Sequence, residues 1–199
     1  MSTSLQMVIV YACLFMALIN LVRRQWLVNM GALALQYGMV FLLLITFRNP
    51  SLGIIKLLVG LMVTLILYLT LVSLGTLQPL QYIFRFSLGE IFRGLAGIFM
   101  IIAVTLFTPG LRTEVFPLTS LPVLTASLGL VILGLLQLGM ITEPLYVIIG
   151  LLTFLSGFEL LYGSMEFSTV LEALFAAVNL GLALVGAYII VKDEEPETR

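Results

Sequence analysis

Three ionisable side chains, those of Lys56, Glu159 and Glu172, lie inside long apolar stretches of this 199-residue chain. If those stretches cross a lipid bilayer, each charge costs roughly 2.5–3.5 kcal/mol to insert and needs a partner, water or a function to compensate for it. Carboxylates and amines inside a membrane are the groups that relay protons or bind cations along a transport path. Because the residues around Glu159 are almost all apolar, it is the strongest candidate for such a role.

An amide extends this set of candidates. Asn179 follows Glu172 by seven residues, so the two side chains share one helical face. Together with Glu159 on the preceding helix, they could line a polar strip. At 1.5 Å per residue, we expect Lys56, Glu159 and Glu172 to lie within roughly 5–8 Å of the same membrane interface, close enough in depth to pair.

Each candidate also has an ordinary structural interpretation. A lysine near a helix end extends its ammonium to the lipid headgroups, and a glutamate in the first turn of a helix is favoured by the helix dipole. Amides between membrane helices are more often packing hydrogen bonds than parts of a conduction path. The amides for which we expect only this packing role are Asn20 and Gln137.

The composition identifies the class of protein. Of the residues, 61% are apolar and 10% charged, against roughly 45–50% and about 25% in soluble domains. This predicts an integral membrane protein and excludes a water-soluble enzyme. The net charge of −1 lacks the basic footprint of nucleic-acid binding. With no histidine and one cysteine, Cys13, we expect no metal centre, no cofactor and no enzyme activity in the chain alone.

Apolar runs of about 20 residues, separated by polar turns, predict an all-α polytopic helix bundle. The predicted transmembrane helices lie near residues 5–22, 29–47, 52–74, 94–107, 121–139, 144–162 and 168–191. We expect Thr108-Pro109-Gly110 to end the fourth helix. Residues 1–191 then form a single transmembrane domain, and residues 192–199 form a short acidic cytoplasmic tail.

Residues 79–93 have two interpretations. Gln81, Arg85 and Arg93 are spaced by four and eight residues with apolar residues between them, which predicts an amphipathic helix lying in the membrane interface. Alternatively, the segment extends the short fourth helix inward. Both interpretations remain open at this point.

The basic residues predict the orientation in the membrane. One side of the seven-helix arrangement receives six of them: Arg23, Arg24, Arg85, Arg93, Lys192 and Arg199. The other side receives Arg48 and Arg112. Because basic residues are retained in the cytoplasm, the N-terminus is expected outside and the C-terminus in the cytoplasm.

Two segments resemble helices of a known family. The segment Ile148–Gly163 resembles the second helix of the NuoK subunit of respiratory complex I, where a Gly-x-Glu-Leu/Ile pattern carries a membrane glutamate. Here that pattern is Gly157-Phe158-Glu159-Leu160. The segment Leu171–Ile189 resembles the third NuoK helix. Similar elements occur in the C subunit of Mrp sodium–proton antiporters and in component E of hydrogenase-4-type complexes, which is similar in size and helix count to this chain.

The resemblance extends over Tyr146–Ile190, about 45 of the 199 residues, and it implies specific roles. It places Glu159 at the glutamate of the family's lateral proton path. At the family's second glutamate this chain has Asn179, which cannot exchange a proton, so a complete two-carboxylate relay is not expected.

The resemblance implies a non-catalytic membrane subunit of a complex I-like, membrane-hydrogenase-like or Mrp-like assembly in the inner membrane of a prokaryotic cell. Its partners would be the lipid bilayer and antiporter-like subunits of the NuoL, NuoM and NuoN type. Glu159, Lys56, Glu172 and Asn179 are then candidates for a proton or sodium path. Two other hypotheses stay open: a purely structural subunit that seals or anchors its partners, and a small stand-alone transporter.

Overall fold

The computed structural model describes residues 3–47, 50–75, 87–117, 119–165 and 168–194. Over these residues the chain forms seven α-helices and no strand. The helices are α1 Thr3–Val22, α2 Trp26–Phe47, α3 Pro50–Ser73, α4 Leu88–Glu114, α5 Leu121–Met140, α6 Pro144–Met165 and α7 Thr169–Glu194. Each is long and apolar enough to cross a membrane. The predicted all-α polytopic bundle is confirmed, and the chain is a multi-pass membrane protein.

Six helices lie within a few residues of their predicted bounds. α7 continues to Glu194, so the first residues of the predicted acidic tail are helical, while residues 195–199 lie outside the described part of the chain. The fourth helix is longer than the predicted span of 94–107, because α4 covers Leu88–Glu114; the predicted C-terminal end is wrong, and the earlier start belongs to the open question of residues 79–93.

The predicted end of α4 at Pro109 is wrong because the helix runs through this proline. A proline removes one backbone hydrogen bond and leaves those of the neighbouring turns intact, and membrane helices tolerate this when side chains satisfy nearby carbonyls. The carbonyl left without its backbone donor at Pro109 is that of Thr105. In the turns before the proline, two threonine hydroxyls add side-chain hydrogen bonds to other carbonyls: Thr105 donates to that of Ile101 at 2.8 Å, and Thr108 donates to that of Val104 at 2.6 Å.

The start of α4 answers part of the question about residues 79–93. Ser87 caps the helix, its hydroxyl accepting from the backbone N–H of Glu90 while the Glu90 carboxylate accepts from the Ser87 N–H. This Ser-x-x-Glu pattern is a capping box, which fixes the first helical turn. Residues 88–93 therefore extend the fourth helix, as the second interpretation expected. The rest of the segment, with Gln81 and Arg85, lies outside the described residues.

The helices pack around α1, α2, α5 and α6. α6 contacts α1, α2, α5 and α7, and α3 packs against both α2 and α7. α4 lies at the periphery, against α1 and α5. One apolar cluster joins α2, α3, α6 and α7, and a second joins α1, α2, α5 and α6. The candidate site residues are carried by α3, α6 and α7, which belong to the first of these clusters.

Close contact between α5 and α6 fixes the helix that carries Glu159. A Cβ atom at Gly157 would lie 2.7 Å from the carbonyl oxygen of Ser127 and 2.7 Å from the amide nitrogen of Val131. Both atoms belong to the α5 backbone, which cannot turn aside as a flexible side chain does. Gly157 is therefore required for the close approach of the two helices, two residues before Glu159.

We expect Gly157→Ala to lower the free energy of unfolding by about 1–3 kcal/mol, because the added methyl group forces the two backbones apart. Gly163→Ala is the matched control on the same helix, since a Cβ there meets nothing within 4 Å. The control should be neutral or stabilising by about 0.5–1 kcal/mol, the usual gain of alanine over glycine in a helix. Unfolding in detergent measures both; equal values for the two variants would contradict the prediction.

Candidate functional site

Lys56 and Glu159 form an ion pair between α3 and α6. The Lys56 ammonium donates to Oε2 of Glu159, and the two side chains are only 8% and 10% exposed. Each residue lies six positions from its helix end, Pro50 at the start of α3 and Met165 at the end of α6. The pair therefore lies about 9 Å along the helices from one end of the bundle. Lys56 does not extend to the headgroups, so the snorkelling interpretation does not hold.

Asn179 on α7 binds the second oxygen of Glu159. Its amide nitrogen donates to Oε1 of Glu159 at 2.5 Å and also to the backbone carbonyl of Phe175 at 2.9 Å. The residue is 1% exposed. Both oxygens of the Glu159 carboxylate are thus hydrogen-bonded by groups from two neighbouring helices, which fixes the position of the side chain.

Tyr37 on α2 completes the group, which we call the ion-pair cluster: Lys56, Glu159, Asn179 and Tyr37. The Tyr37 hydroxyl donates to Oδ1 of Asn179 at 3.5 Å. The Lys56 ammonium lies 5.1 Å from the centre of the Tyr37 ring, within the range of a cation–π interaction. The cluster therefore joins four helices, α2, α3, α6 and α7.

A glycine makes room for the tyrosine ring. A Cβ atom at Gly60 on α3 would lie 2.4 Å from Cγ of Tyr37, closer than real atoms approach. Gly60 follows Lys56 by four residues, so it lies one turn further along the same face of α3. The ring fits against this bare stretch of helix, with the Lys56 ammonium over its face.

Glu172 lies outside the ion-pair cluster. It precedes Asn179 by seven residues, which is about 10 Å along α7. One of its carboxylate oxygens, Oε2, is buried and has no hydrogen-bond partner among the described residues. Glu159 is the charged group that acts on this carboxyl electrostatically. The structure thus brings together three of the four predicted site residues and leaves the fourth two turns away.

A second set of polar side chains continues the site through the bundle. Asn20 on α1 donates to Oε1 of Gln36 on α2 at 3.4 Å, and Gln36 donates to the hydroxyl of Thr153 on α6 at 3.4 Å. All three residues are buried. The packing role expected for Asn20 agrees with this contact. The other amide expected to pack, Gln137, donates to the backbone carbonyl of Tyr146 at 2.7 Å.

Thr153 belongs to a polar stripe on α6 that the sequence reasoning missed. Thr153, Ser156 and Glu159 follow one another at three-residue spacing, so they lie along one face of the helix. Ser156 is fully buried. The spacing alone could have identified this stripe, whereas nothing in the sequence distinguishes Tyr37 from an ordinary core aromatic residue.

The chemistry open to this site is that of protons and small cations. Over the described residues, no group of three or more histidine, cysteine or acidic side chains comes together as a metal site. The oxygens of Glu159, Asn179 and Tyr37 could accept a small cation only if the Lys56 ammonium moved away, because that ammonium occupies the carboxylate.

Comparison with known proteins adds no relative. No family model matches the chain, and neither do curated proteins or solved structures.

Proposed function

We propose that this chain is a non-catalytic membrane subunit of a complex I-like, membrane-hydrogenase-like or Mrp-like assembly, in which the ion-pair cluster forms or borders a proton or sodium path. The observation that carries the proposal is the buried ion pair of Lys56 and Glu159. Burying two charges costs several kcal/mol per ion before their attraction offsets it. Ionisable residues kept at such cost inside membranes usually serve ion transport.

The ion pair can take up and release one proton at a time. Each charge stabilises the charged form of the other, so a proton taken up by Glu159 leaves the Lys56 ammonium without its counter-ion. That state relaxes when either group loses a proton. Asn179 only donates to the carboxylate and holds it in place. Glu172 is the next acidic group on the α7 side, and water would have to carry protons across the gap.

The resemblance of Tyr146–Ile190 to helices of the NuoK type supports the same role for Glu159. It also supplies the proposed partners, antiporter-like subunits of the NuoL, NuoM and NuoN type. The proposed location is the inner membrane of a prokaryotic cell, with the N-terminus outside and the C-terminus in the cytoplasm. The excess of basic residues on one side of the predicted arrangement supports this orientation.

A structural subunit is the second candidate function. One observation favours it: both carboxylate oxygens of Glu159 already have partners, as expected of a static tie between helices. In this alternative the ion pair positions α3, α6 and α7 against one another, and the chain seals or anchors its partner subunits.

Replacing Glu159 by glutamine tests the proposed path. In the purified assembly reconstituted into vesicles, we expect at least a tenfold loss of coupled proton or sodium uptake, because glutamine keeps the shape of the side chain and cannot carry a proton or a charge. Glu114→Gln is the control, since Glu114 ends α4 at an exposed position. Normal ion uptake by Glu159→Gln, in an assembly of unchanged composition, would reject the path.

The double variant Lys56→Met/Glu159→Leu distinguishes between the two candidate functions. A static tie can be replaced by apolar packing, so unchanged assembly and unchanged ion uptake would favour the structural subunit. Loss of uptake with intact assembly would favour the path. Gentle purification tests the third hypothesis, because a protein that emerges alone and transports a solute in vesicles is a stand-alone transporter.

A further inference from the structure

The end of the bundle opposite the ion-pair cluster holds a buried arginine, two of whose three nitrogen atoms have no hydrogen-bond partner among the described residues. Arg93 lies in the second turn of α4 and is only 6% exposed. Its Nε and Nη1 atoms are buried, and neither has a hydrogen-bond partner among the described residues. A guanidinium is always charged in proteins, and leaving its donors buried and unpaired carries a large desolvation cost. An anionic ligand at this position would remove that cost.

The neighbouring carboxylates do not neutralise Arg93 by direct contact. Glu143 is bound by Arg24, with 2.5 Å between Nη1 and Oε1. Glu90 accepts from the backbone of Ser87 in the capping box. Both glutamates attract the Arg93 guanidinium only electrostatically, without a direct contact, and the positive charge of Arg24 repels it. Among the described residues, Arg93 therefore forms no salt bridge.

Arg93 lines an open cavity of about 360 Å³ at this place. The cavity is also lined by Arg24, Ser87, Gly89, Phe92 and Met140. It thus combines two guanidinium groups, the first turn of a 27-residue helix and two apolar side chains. Its volume is suited to a headgroup-sized anion with an apolar attachment.

The first turn of α4 offers backbone donors to the same cavity. A helix leaves its first N–H groups without partners inside the helix, and the capping box accounts for those of Ser87 and Glu90. The N–H group of Gly89, which lines the cavity, has no partner within the described part of the helix and lies at the positive end of the helix dipole. Helix N-termini with such donors bind phosphate groups, and the planar fork of arginine matches two phosphate oxygens.

The cavity lies at an end of the helix bundle, the level at which membrane-spanning helices generally meet the lipid headgroups. α1 and α5 end here and α4 and α6 begin here, so this is a membrane-facing end of the bundle. Phe92 is 65% exposed and provides an apolar contact beside the charged groups. We propose that Arg93, with Arg24 and the first turn of α4, binds a phosphate oxyanion, carried by a phospholipid headgroup or present as free phosphate.

The test uses the full-length protein, stripped of lipid in an uncharged detergent. Thermal unfolding is followed while a short-chain phosphatidylglycerol is added, in parallel with a diacylglycerol of the same chain length and with inorganic phosphate. Stabilisation by phosphatidylglycerol alone assigns a lipid site, and equal stabilisation by inorganic phosphate assigns free phosphate as the ligand. No stabilisation by either phosphate compound, or equal stabilisation by diacylglycerol, overturns the proposal.

Substitutions locate the effect. We expect Arg93→Gln to weaken phosphate binding at least tenfold and Arg93→Lys to weaken it less, because lysine keeps the charge and loses the fork. Arg112→Gln, at the exposed other end of α4, should bind as the wild type does. Without ligand, Arg93→Gln should unfold at the same temperature as the wild type or a higher one, since it removes an unpaired buried charge. Unchanged binding by Arg93→Gln would overturn the proposal.

Discussion

Replacing Lys56 by methionine is expected to lower the free energy of unfolding by about 3–5 kcal/mol. Methionine has a similar length and fills the same space, so packing changes little. The loss arises from Glu159, whose buried carboxylate keeps its bond from Asn179 and loses its only direct counter-ion among the described residues. Removing one member of a buried pair leaves an uncompensated charge, which costs more than the pair itself contributed.

The double variant Lys56→Met/Glu159→Leu should recover most of this loss and unfold within about 1 kcal/mol of the wild type. Without the carboxylate, one N–H of the Asn179 amide still donates to the carbonyl of Phe175, and only the other N–H loses its partner. Unfolding in detergent micelles by a denaturant titration measures the wild type, both single variants and the double variant, and thereby the coupling between the two residues.

Lys192→Met is the control for the loss of a lysine, because Lys192 is exposed in the last turn of α7. Its free energy of unfolding should stay within about 0.5 kcal/mol of the wild type. A small loss in Lys56→Met, or a double variant as unstable as the sum of the single variants, would show that the two residues are not energetically coupled.

The sequence was sufficient to identify Lys56 and Glu159 as the residues to examine. Charges are rare in this chain, and their depth in the helices follows from counting residues at 1.5 Å each. Their pairing could only be called possible, because it depends on α3 and α6 being brought to the same place. That arrangement is set by helix packing, since α3 and α6 each pack against both α2 and α7, and hydropathy carries little information about it.

The errors in α4 have two physical sources. The proline rule that ended the helix at Pro109 holds best for soluble helices, whereas a membrane favours continuing the helix because no water is present to satisfy open backbone groups. The start was left open because the apolar pattern weakens near Arg93, although the capping pattern Ser87 to Glu90 was visible in the sequence. Arg93 itself looked like part of a polar face and is buried.

Replacing Asn179 by aspartate is the second substitution with a large expected effect. The amide nitrogen of Asn179 lies 2.5 Å from a Glu159 oxygen, so the variant places two carboxylates in direct contact with one lysine to compensate them. Two buried like charges at this distance cannot both stay ionised, and the pair binds one proton. We expect one protonated carboxyl group more than in the wild type at neutral pH, visible as an additional band by infrared spectroscopy.

The same proton makes the stability of Asn179→Asp depend on pH. The folded variant holds one proton more than the unfolded chain, in which an aspartate is ionised above about pH 4. Stability therefore falls as the pH rises, by up to about 1.4 kcal/mol per unit relative to the wild type. Between pH 5 and pH 8 the accumulated difference reaches about 4 kcal/mol. Denaturant titrations at several pH values measure it.

Thr169→Asp is the matched control, because it adds the same carboxylate at an exposed position on α7, where no pH dependence is expected near neutrality. Glu159→Gln/Asn179→Asp should also lose the dependence, since one carboxylate then remains near the Lys56 charge. Parallel pH profiles for Asn179→Asp and the wild type would mean that water reaches the new carboxylate freely. The ion-pair cluster would then be hydrated in the folded protein. The ion pair of Lys56 and Glu159 would in that case be solvent-exposed and would contribute little to the free energy of unfolding.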